Sequence, residues 1–180
     1  MELFDVIGKR YSHKVAFDPV RKVPDEDLLR IVQAGMAAPC AGNEQSPEFI
    51  IVSEEGLVRR IGELSGNVPL RTAPAMIAVL TPPHARQVCD LRAECLIADF
   101  AVATLNMLLA ATALGYVCGW VDGPFTKPEL SRPVSELLGI PEDRLLILFV
   151  PVGYAGEPGL RRPKKPFAQR ASWNAYAVQR

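Results

Sequence analysis

Few residues in this chain are placed to do chemistry, and most of them are basic. Arg10, Ser12 and Lys14 fall within the run Arg10-Tyr11-Ser12-His13-Lys14. Two cations and a hydroxyl on alternate positions can converge on one phosphate, with loop N–H groups assisting. A second basic group, Arg161, Arg162, Lys164 and Lys165, lies near the C-terminus, stiffened by Pro163 and Pro166. Taken singly, the first also reads as a solvated basic turn and the second as a loose basic tail. A third segment, Pro39-Cys40-Ala41-Gly42-Asn43-Glu44-Gln45, offers amide donors and acceptors at Asn43 and Gln45. The small residues beside them let a backbone approach a flat ligand closely, although in isolation the segment is also a plain connecting loop. Asp99 is a lone carboxylate inside an apolar stretch, and it reads as a polar tie to a neighbouring loop rather than as a catalyst.

Other catalytic sets are missing. The two histidines, His13 and His84, have no metal-ligand partner at helical spacing. No GxSxG elbow, P-loop or strand-linked GxGxxG occurs, so a self-contained dinucleotide site is unsupported. Cys40, Cys89, Cys95 and Cys118 are scattered without a CxxC pair, which argues against zinc and against a disulfide framework and fits reduced thiols in a cytoplasm.

These residues need elements to hold them. Leu3, Phe4, Val6 and Ile7 give a short amphipathic helix over 2–9, with the basic run as the loop after it. Pro24-Asp25 opens a second helix with Leu28, Leu29, Ile31 and Val32 facing inward, fading at Met36-Ala37-Ala38. Buried strands are expected at Phe49–Val52, Ala75–Leu80, Tyr116–Val121 and Leu145–Val152. Val58, Ile61 and Leu64 mark a helix that stops near Gly66, and Thr126-Lys127-Pro128-Glu129 reads as a capped helix start running to Leu138. A long helix from about Gln87 to Leu114, closed by Gly115, is apolar nearly all round in its second half. Asp99, Thr104, Asn106 and Thr112 make it a buried core helix rather than a membrane span, and a partner subunit is the expected source of part of its cover. From Ala155 onward the chain reads as an extended basic arm ending in Trp173 and Tyr176.

The length of 180 residues fits one domain, and 49% hydrophobic residues suffice for a core. A net charge of zero argues against a general nucleic-acid binder or a polybasic membrane surface. The charge is unevenly spread: residues 1–22 carry five bases and three acids, 23–154 nine and sixteen, and 155–180 six and one. A fold that brings the two ends together makes a local anion site on a neutral protein.

Read together and in order, these segments resemble the nitroreductase family of FMN-dependent oxidoreductases over nearly the whole chain. The resemblance is carried by Arg10-x-Ser12-x-Lys14 with Phe17, by Pro39 to Pro47 leading into Phe49–Val52, and by Asp99 and Asn106-Met107 with Ala110 on the long helix. It continues through Leu114-Gly115 with Trp120 and Asp122-Gly123, Leu138 to Pro141, Val152 to Tyr154, and Arg162 to Phe167. It implies an α+β fold, a sandwich with an antiparallel-dominated central sheet flanked by helices and an extended C-terminal arm. It implies a single FMN-binding domain over 1–180, in a homodimer with FMN at the subunit interface. The phosphate would be held by Arg10, Tyr11, Ser12 and Lys14 with Arg162, Lys164 and Lys165. The flavin ring would lie against Pro39, Cys40 and Ala41 of the other subunit, with Asn43 and Gln45 beside it and Asp122 and Gly123 near its reactive edge. The implied reaction is hydride transfer from NADH or NADPH through flavin N5 to a flat acceptor such as a nitroaromatic or quinone, by a ping-pong mechanism with no essential acid or base residue.

Three departures stand out: Cys40 for the family's Ser, Ser46-Pro47 for Pro-Trp, and Lys164 for Arg. The excursion from Thr81 to Cys89 is also short, which implies an open pocket. The resemblance leaves two other readings open. One is a specialised flavin protein of the same fold (dehalogenase, flavin-fragmenting or azoline-oxidase type), and the other a non-enzymatic dimer that has lost FMN.

Overall fold

The computed structural model describes residues 1–82 and 91–177, and of 91–94 the backbone alone. The expected start of the long helix near Gln87, most of the excursion to Cys89, and His84 lie outside the described residues.

The central strand sets the architecture. β2 (Ala75–Leu80) is buried at every position, and it pairs antiparallel with β1 (Glu48–Val52) on one side and β4 (Leu146–Gly153) on the other. β3 (Val117–Cys118) completes a four-stranded antiparallel sheet in the order β1-β2-β4-β3. A strand without polar residues must be covered on both faces, and period-2 alternation sends successive side chains to opposite layers. Ala75, Ile77 and Val79, with Leu148, Val150 and Val152 from β4, pack against α2 (Asp25–Met36) and α5 (Leu91–Ala113). Met76, Ala78, Leu80 and Phe149 pack the other way, against α3 (Glu55–Ser65), α4 (Val68–Thr72) and α6 (Pro128–Leu137). The register skips Ile147 between the pairs Val79–Leu148 and Leu80–Leu146, and this bulge lets Leu146 join Leu80 in the second layer. The expected sandwich with an antiparallel sheet flanked by helices is the fold.

Local signals explain most boundaries. α1 (Leu3–Lys9) buries Val6 and leaves Leu3, Phe4 and Ile7 exposed. α2 begins after Pro24 with Asp25, Glu26 and Asp27 in its first turn, where acids oppose the positive end of the helix dipole. Asp27 also accepts a 2.5 Å hydrogen bond from the Tyr116 hydroxyl, and burial followed by that carboxylate pushes the Tyr116 phenol upward. Gly115, at φ +90°, ends α5 as expected.

Two expectations shift, and one helix was not foreseen. The third strand is two residues long, because the chain from Gly119 to Val121 meets β4 through single contacts, Gly119 N–H to Pro151 O and a bridge between Val121 and Phe149. Thr126 does not cap α6: its hydroxyl donates to Gly123 O at 2.8 Å within a 3-10 turn over Gly123–Thr126. α4 has no periodicity long enough to read, and it forms because the Asn67 side chain caps it and Leu70 is buried.

α3 and α4 touch through backbone. A Cβ on Gly62 would lie 2.7 Å from the Arg71 Cα and 2.9 Å from Leu70 O. Gly62→Ala is therefore expected to push α4 off the sheet and to destabilise the fold by about 1–3 kcal/mol, read as a lower thermal midpoint. At the other end of α3, the Glu54 carboxylate accepts from Gly56 N–H at 2.8 Å and Leu57 N–H at 2.7 Å, which holds its carboxyl below the ordinary value of 4.5. A depressed folded-state value means that this cap stabilises above the ordinary range and fades as pH falls through the lowered value. Glu54→Gln should lower the midpoint at neutral pH, and thermal melts against pH should show the gap to the parent closing in acid.

Candidate functional site

The basic loop is fixed from beneath. Ser12 pairs in parallel with Cys118, and His13 N–H donates to Cys118 O at 2.9 Å. His13 is buried, with Nε2 3.0 Å from Ala16 O and Nδ1 3.3 Å from the Tyr11 hydroxyl. Burial pushes the Cys118 thiol up to about 12, so it stays protonated beneath the loop. Arg10 and Ser12 are half-buried and Lys14 is exposed.

The C-terminal arm comes to this loop. Phe17 and Ala155 form an antiparallel bridge, and Gly156 N–H and Glu157 N–H both donate to Ala16 O. A Cβ on Gly159 would meet the Tyr11 ring and lie 3.0 Å from His13 Nδ1, so only glycine lets the backbone pass so close. The Arg161 guanidinium sits 5.1 Å from the Tyr11 ring centre and donates to Gly8 O at 3.4 Å. The two basic ends of the chain thus meet, through Arg161 rather than through Arg162, Lys164 or Lys165, which follow it and are exposed. Among the described residues none of Arg10, Lys14, Arg161, Arg162, Lys164 and Lys165 forms an ion pair. Cations without carboxylate partners suit a dianionic phosphate.

The second group is built around Asp99. Its carboxylate, buried in α5, accepts from Ala41 N–H at 3.0 Å and from the Ser46 hydroxyl at 2.6 Å. It is the polar tie expected, and it pins both ends of the loop between α2 and β1. Ser46, singled out from sequence only within the departure Ser46-Pro47 for Pro-Trp, is a buried donor in its own right. Between these anchors the chain turns tightly, with Gly42, Asn43 and Gln45 all in the left-handed region at φ +60°, +57° and +52°. Gln45 N–H donates to the Cys40 sulfur at 3.2 Å. A cleft of about 130 Å³ opens beside the loop, lined by Pro39, Cys40, Gln45 and Asp99 with Met36 and Phe49 among others. Its lining is mostly apolar with a few polar groups, as a flat heterocycle requires.

The cleft lining includes none of the basic residues and neither Asp122 nor Gly123. Those two lie on the 3-10 turn after Val121, both exposed. One chain therefore carries the expected site as separate parts: a basic face, a cleft and a turn. Sequence reasoning missed Ser46, Gly159 and the structural role of His13. A hydroxyl beside a proline and a lone acid in an apolar helix were the available signal for the first; nothing local marked the other two.

The model of the Nitroreductase family matches residues 7–81 and 65–154. A protein of Archaeoglobus fulgidus, provisionally named NADH dehydrogenase/NAD(P)H nitroreductase, is 34% identical over 155 residues, covering 85% of each chain. The iodotyrosine deiodinase of Thermotoga neapolitana is 28% identical, covering 91% of this chain and 92% of its own. Among solved structures, NfrA1 of B. megaterium matches with a TM-score of 0.82 at 20% identity, over 97% of this chain and 74% of that one. The NADPH:FMN oxidoreductase of Vibrio harveyi, solved with NAD+, matches at 0.77 and 22% identity, over 97% and 77%. The chain belongs to the nitroreductase family and is an oxidoreductase of that family.

The Asp99 tie gives a direct expectation. Ser46→Ala removes a hydrogen bond to a charged group, worth ~1.5–3 kcal/mol, and frees one end of the loop. Amide hydrogen exchange over residues 40–46 should accelerate in this variant while β2 stays protected; unchanged exchange in the loop would show that Asp99 does not anchor it.

Proposed function

We propose that this chain is a single FMN-binding domain that works as a homodimer, taking a hydride from NADH or NADPH and passing it to a flat electron acceptor such as a nitroaromatic or quinone. The observation that carries the reading is the meeting of the two basic ends at Tyr11 and Arg161 on a protein of zero net charge, where among the described residues neither end's basic cluster forms an ion pair. The name of the Vibrio harveyi neighbour, an NADPH:FMN oxidoreductase, agrees with it.

In this reading Arg10, Tyr11, Ser12 and Lys14 hold the phosphate together with Arg162, Lys164 and Lys165. Pro39, Cys40 and Ala41 form an uncharged wall for the ring, Asn43 and Gln45 contribute amide hydrogen bonds, and backbone N–H groups near Asp122 and Gly123 face its polar edge. Bound FMN supplies a ring that accepts a hydride at N5 and yields its electrons to the acceptor. The chain's own task is to bind, orient and leave one face open, so that the nicotinamide departs before the acceptor enters and the kinetics are ping-pong. No side chain has to move a proton, which agrees with the scarcity of histidine.

Two copies would join the parts that one chain keeps separate. Of residues 95–113 on α5 only 39% are buried, with Ile97 and Leu105 exposed. Leu3, Phe4 and Ile7 on α1, Met36 on α2, and Phe167, Trp173 and Tyr176 on the arm are exposed as well. So much apolar surface calls for a partner, and a second copy is the one this reading supplies. A cytoplasmic setting suits the free cysteines. A reductive dehalogenase is the second reading, favoured by the match to the deiodinase of Thermotoga neapolitana.

Purified protein should be yellow, or should turn yellow with added FMN, and should run as a dimer by light scattering. Arg10→Ala and Lys164→Ala should each weaken FMN binding by ~1.5–3 kcal/mol, about ten- to a hundredfold. Unchanged affinity in both would show that the phosphate lies elsewhere. Anaerobic addition of NADH or NADPH should bleach the bound flavin, and failure with both donors would remove the nicotinamide half of the reading. An acceptor screen that includes iodotyrosine then separates the two readings.

A further inference from the structure

The cleft beside the loop between α2 and β1 is small, and its size limits what can enter. Its volume is about 130 Å³. An apolar cavity of about 150 Å³ holds one benzene ring, whereas sites for drug-sized molecules begin near about 300 Å³. The space therefore fits one six-membered ring and is too small for a fused three-ring system. It exists because small residues meet where larger ones would close it. Gly35 on α2, with Asp99 and Ala103 on α5, are its buried members and form its floor. A Cβ on Gly35 would lie 2.8 Å from Met107 Cγ and 3.4 Å from Ala103 O, so the two helices are already in contact there and the floor is fixed. Ala38, Cys40, Pro47 and Phe49 are half-buried along the sides, and Met36, Pro39 and Gln45 are exposed at the mouth.

The polar groups narrow the choice further. Among the described residues Asp99 is the one charged side chain of the lining. Its oxygens already accept from Ala41 N–H at 3.0 Å and the Ser46 hydroxyl at 2.6 Å, so it requires no donor from a ligand. Its negative charge at the floor of a poorly hydrated space repels an anion. The Gln45 backbone N–H is taken by the Cys40 sulfur at 3.2 Å, which leaves the Gln45 side-chain amide at the mouth to pair with an uncharged polar substituent.

We propose that this cleft is a binding site for a single uncharged aromatic ring carrying a neutral polar group such as a carboxamide, nitro or carbonyl substituent. It rejects carboxylates through Asp99 and fused rings through its volume. Pro39, Cys40 and Gln45 are shared with the wall proposed for the flavin, while Ala41 and Asn43 do not line the cleft. A ring in the cleft thus lies beside that wall, where the acceptor has to be. Assigning the occupant as the electron acceptor, which makes the acceptor a one-ring compound without a carboxylate, rests on the flavin reading above; the binding itself does not.

The test is an amide NMR titration of the full-length, isotope-labelled chain with three probes at about pH 7.5, where benzoate is ionised. Benzamide should shift the amides of Ala38, Cys40, Phe49 and Ala103 and saturate. Benzoate should bind at least roughly tenfold more weakly, and 2-naphthamide should leave these amides unmoved. Ala38→Leu fills the cleft and should abolish the benzamide shifts. Met36→Ala removes a side chain that is 65% exposed at the mouth and should admit 2-naphthamide; it decides alone if Ala38→Leu does not fold. No benzamide response at these amides, equal binding of benzoate, or binding of 2-naphthamide by the parent overturns the proposal. Titration with FMN separates it from the flavin reading. Benzamide shifts that persist with FMN bound support both, and displacement of benzamide by FMN overturns the cleft as a separate site. A chain that takes up benzamide but no FMN keeps the cleft and loses the flavin reading, and an FMN-binding chain with no benzamide response does the reverse.

Discussion

A strand buried on both faces is the constraint from which the rest of this molecule follows. β2 has no exposed position, so its alternating side chains demand one layer of helices above and another below. That demand explains why helices from distant parts of the chain are recruited: α2 with α5 on one side, and α3, α4 and α6 on the other. Every β2 neighbour also pairs antiparallel, and each connection between strands runs through one or more of those helices, which leaves loops at the margins of the sheet. The regions that carry polar chemistry are those loops, held at the margins of a rigid apolar slab.

Each loop is secured by a polar group that the core has swallowed. Asp99 lies in a helix with hardly any polar face, and a buried carboxylate needs donors close by. It finds them in Ala41 N–H and the Ser46 hydroxyl, and the loop between is drawn down onto α5 with Gly42, Asn43 and Gln45 turned left-handed. His13 acts in the same way at the opposite margin, where its ring and two arm N–H groups share one carbonyl. In both places the polar atom is satisfied, and the exposed residues around it are the ones available to a ligand.

Much of the layered core was legible because it obeys simple periods. Leu28, Ile31 and Val32 repeat at helical spacing, and Ala75–Leu80 is a short apolar run bounded by Pro74 and Pro82. The site was legible in composition but not in assembly. That Arg10 and Lys14 belong with a C-terminal basic group could be inferred from charge; that Arg161 makes the contact could not, because it depends on Gly159 letting the backbone pass against Tyr11. Ser46 was missed for a similar reason: its value lies in a partner that is distant in sequence, and a hydroxyl does not advertise which carboxylate it will meet. α4 escaped because five residues are too few for a period, and its cap and its one buried leucine act only once α3 is in place.

The charge distribution ties fold and function together. A neutral chain with basic ends and an acidic middle could have scattered its cations over the surface, where each would be screened and weak. The antiparallel run of Ala155–Glu157 against Ala16–Asp18 brings Arg161 of the basic arm to Gly8 and Tyr11, through backbone hydrogen bonds rather than through charge. A phosphate site of the kind proposed would gain most there from a compact, doubly charged group, which a phosphomonoester provides and a diffuse polyanion does not.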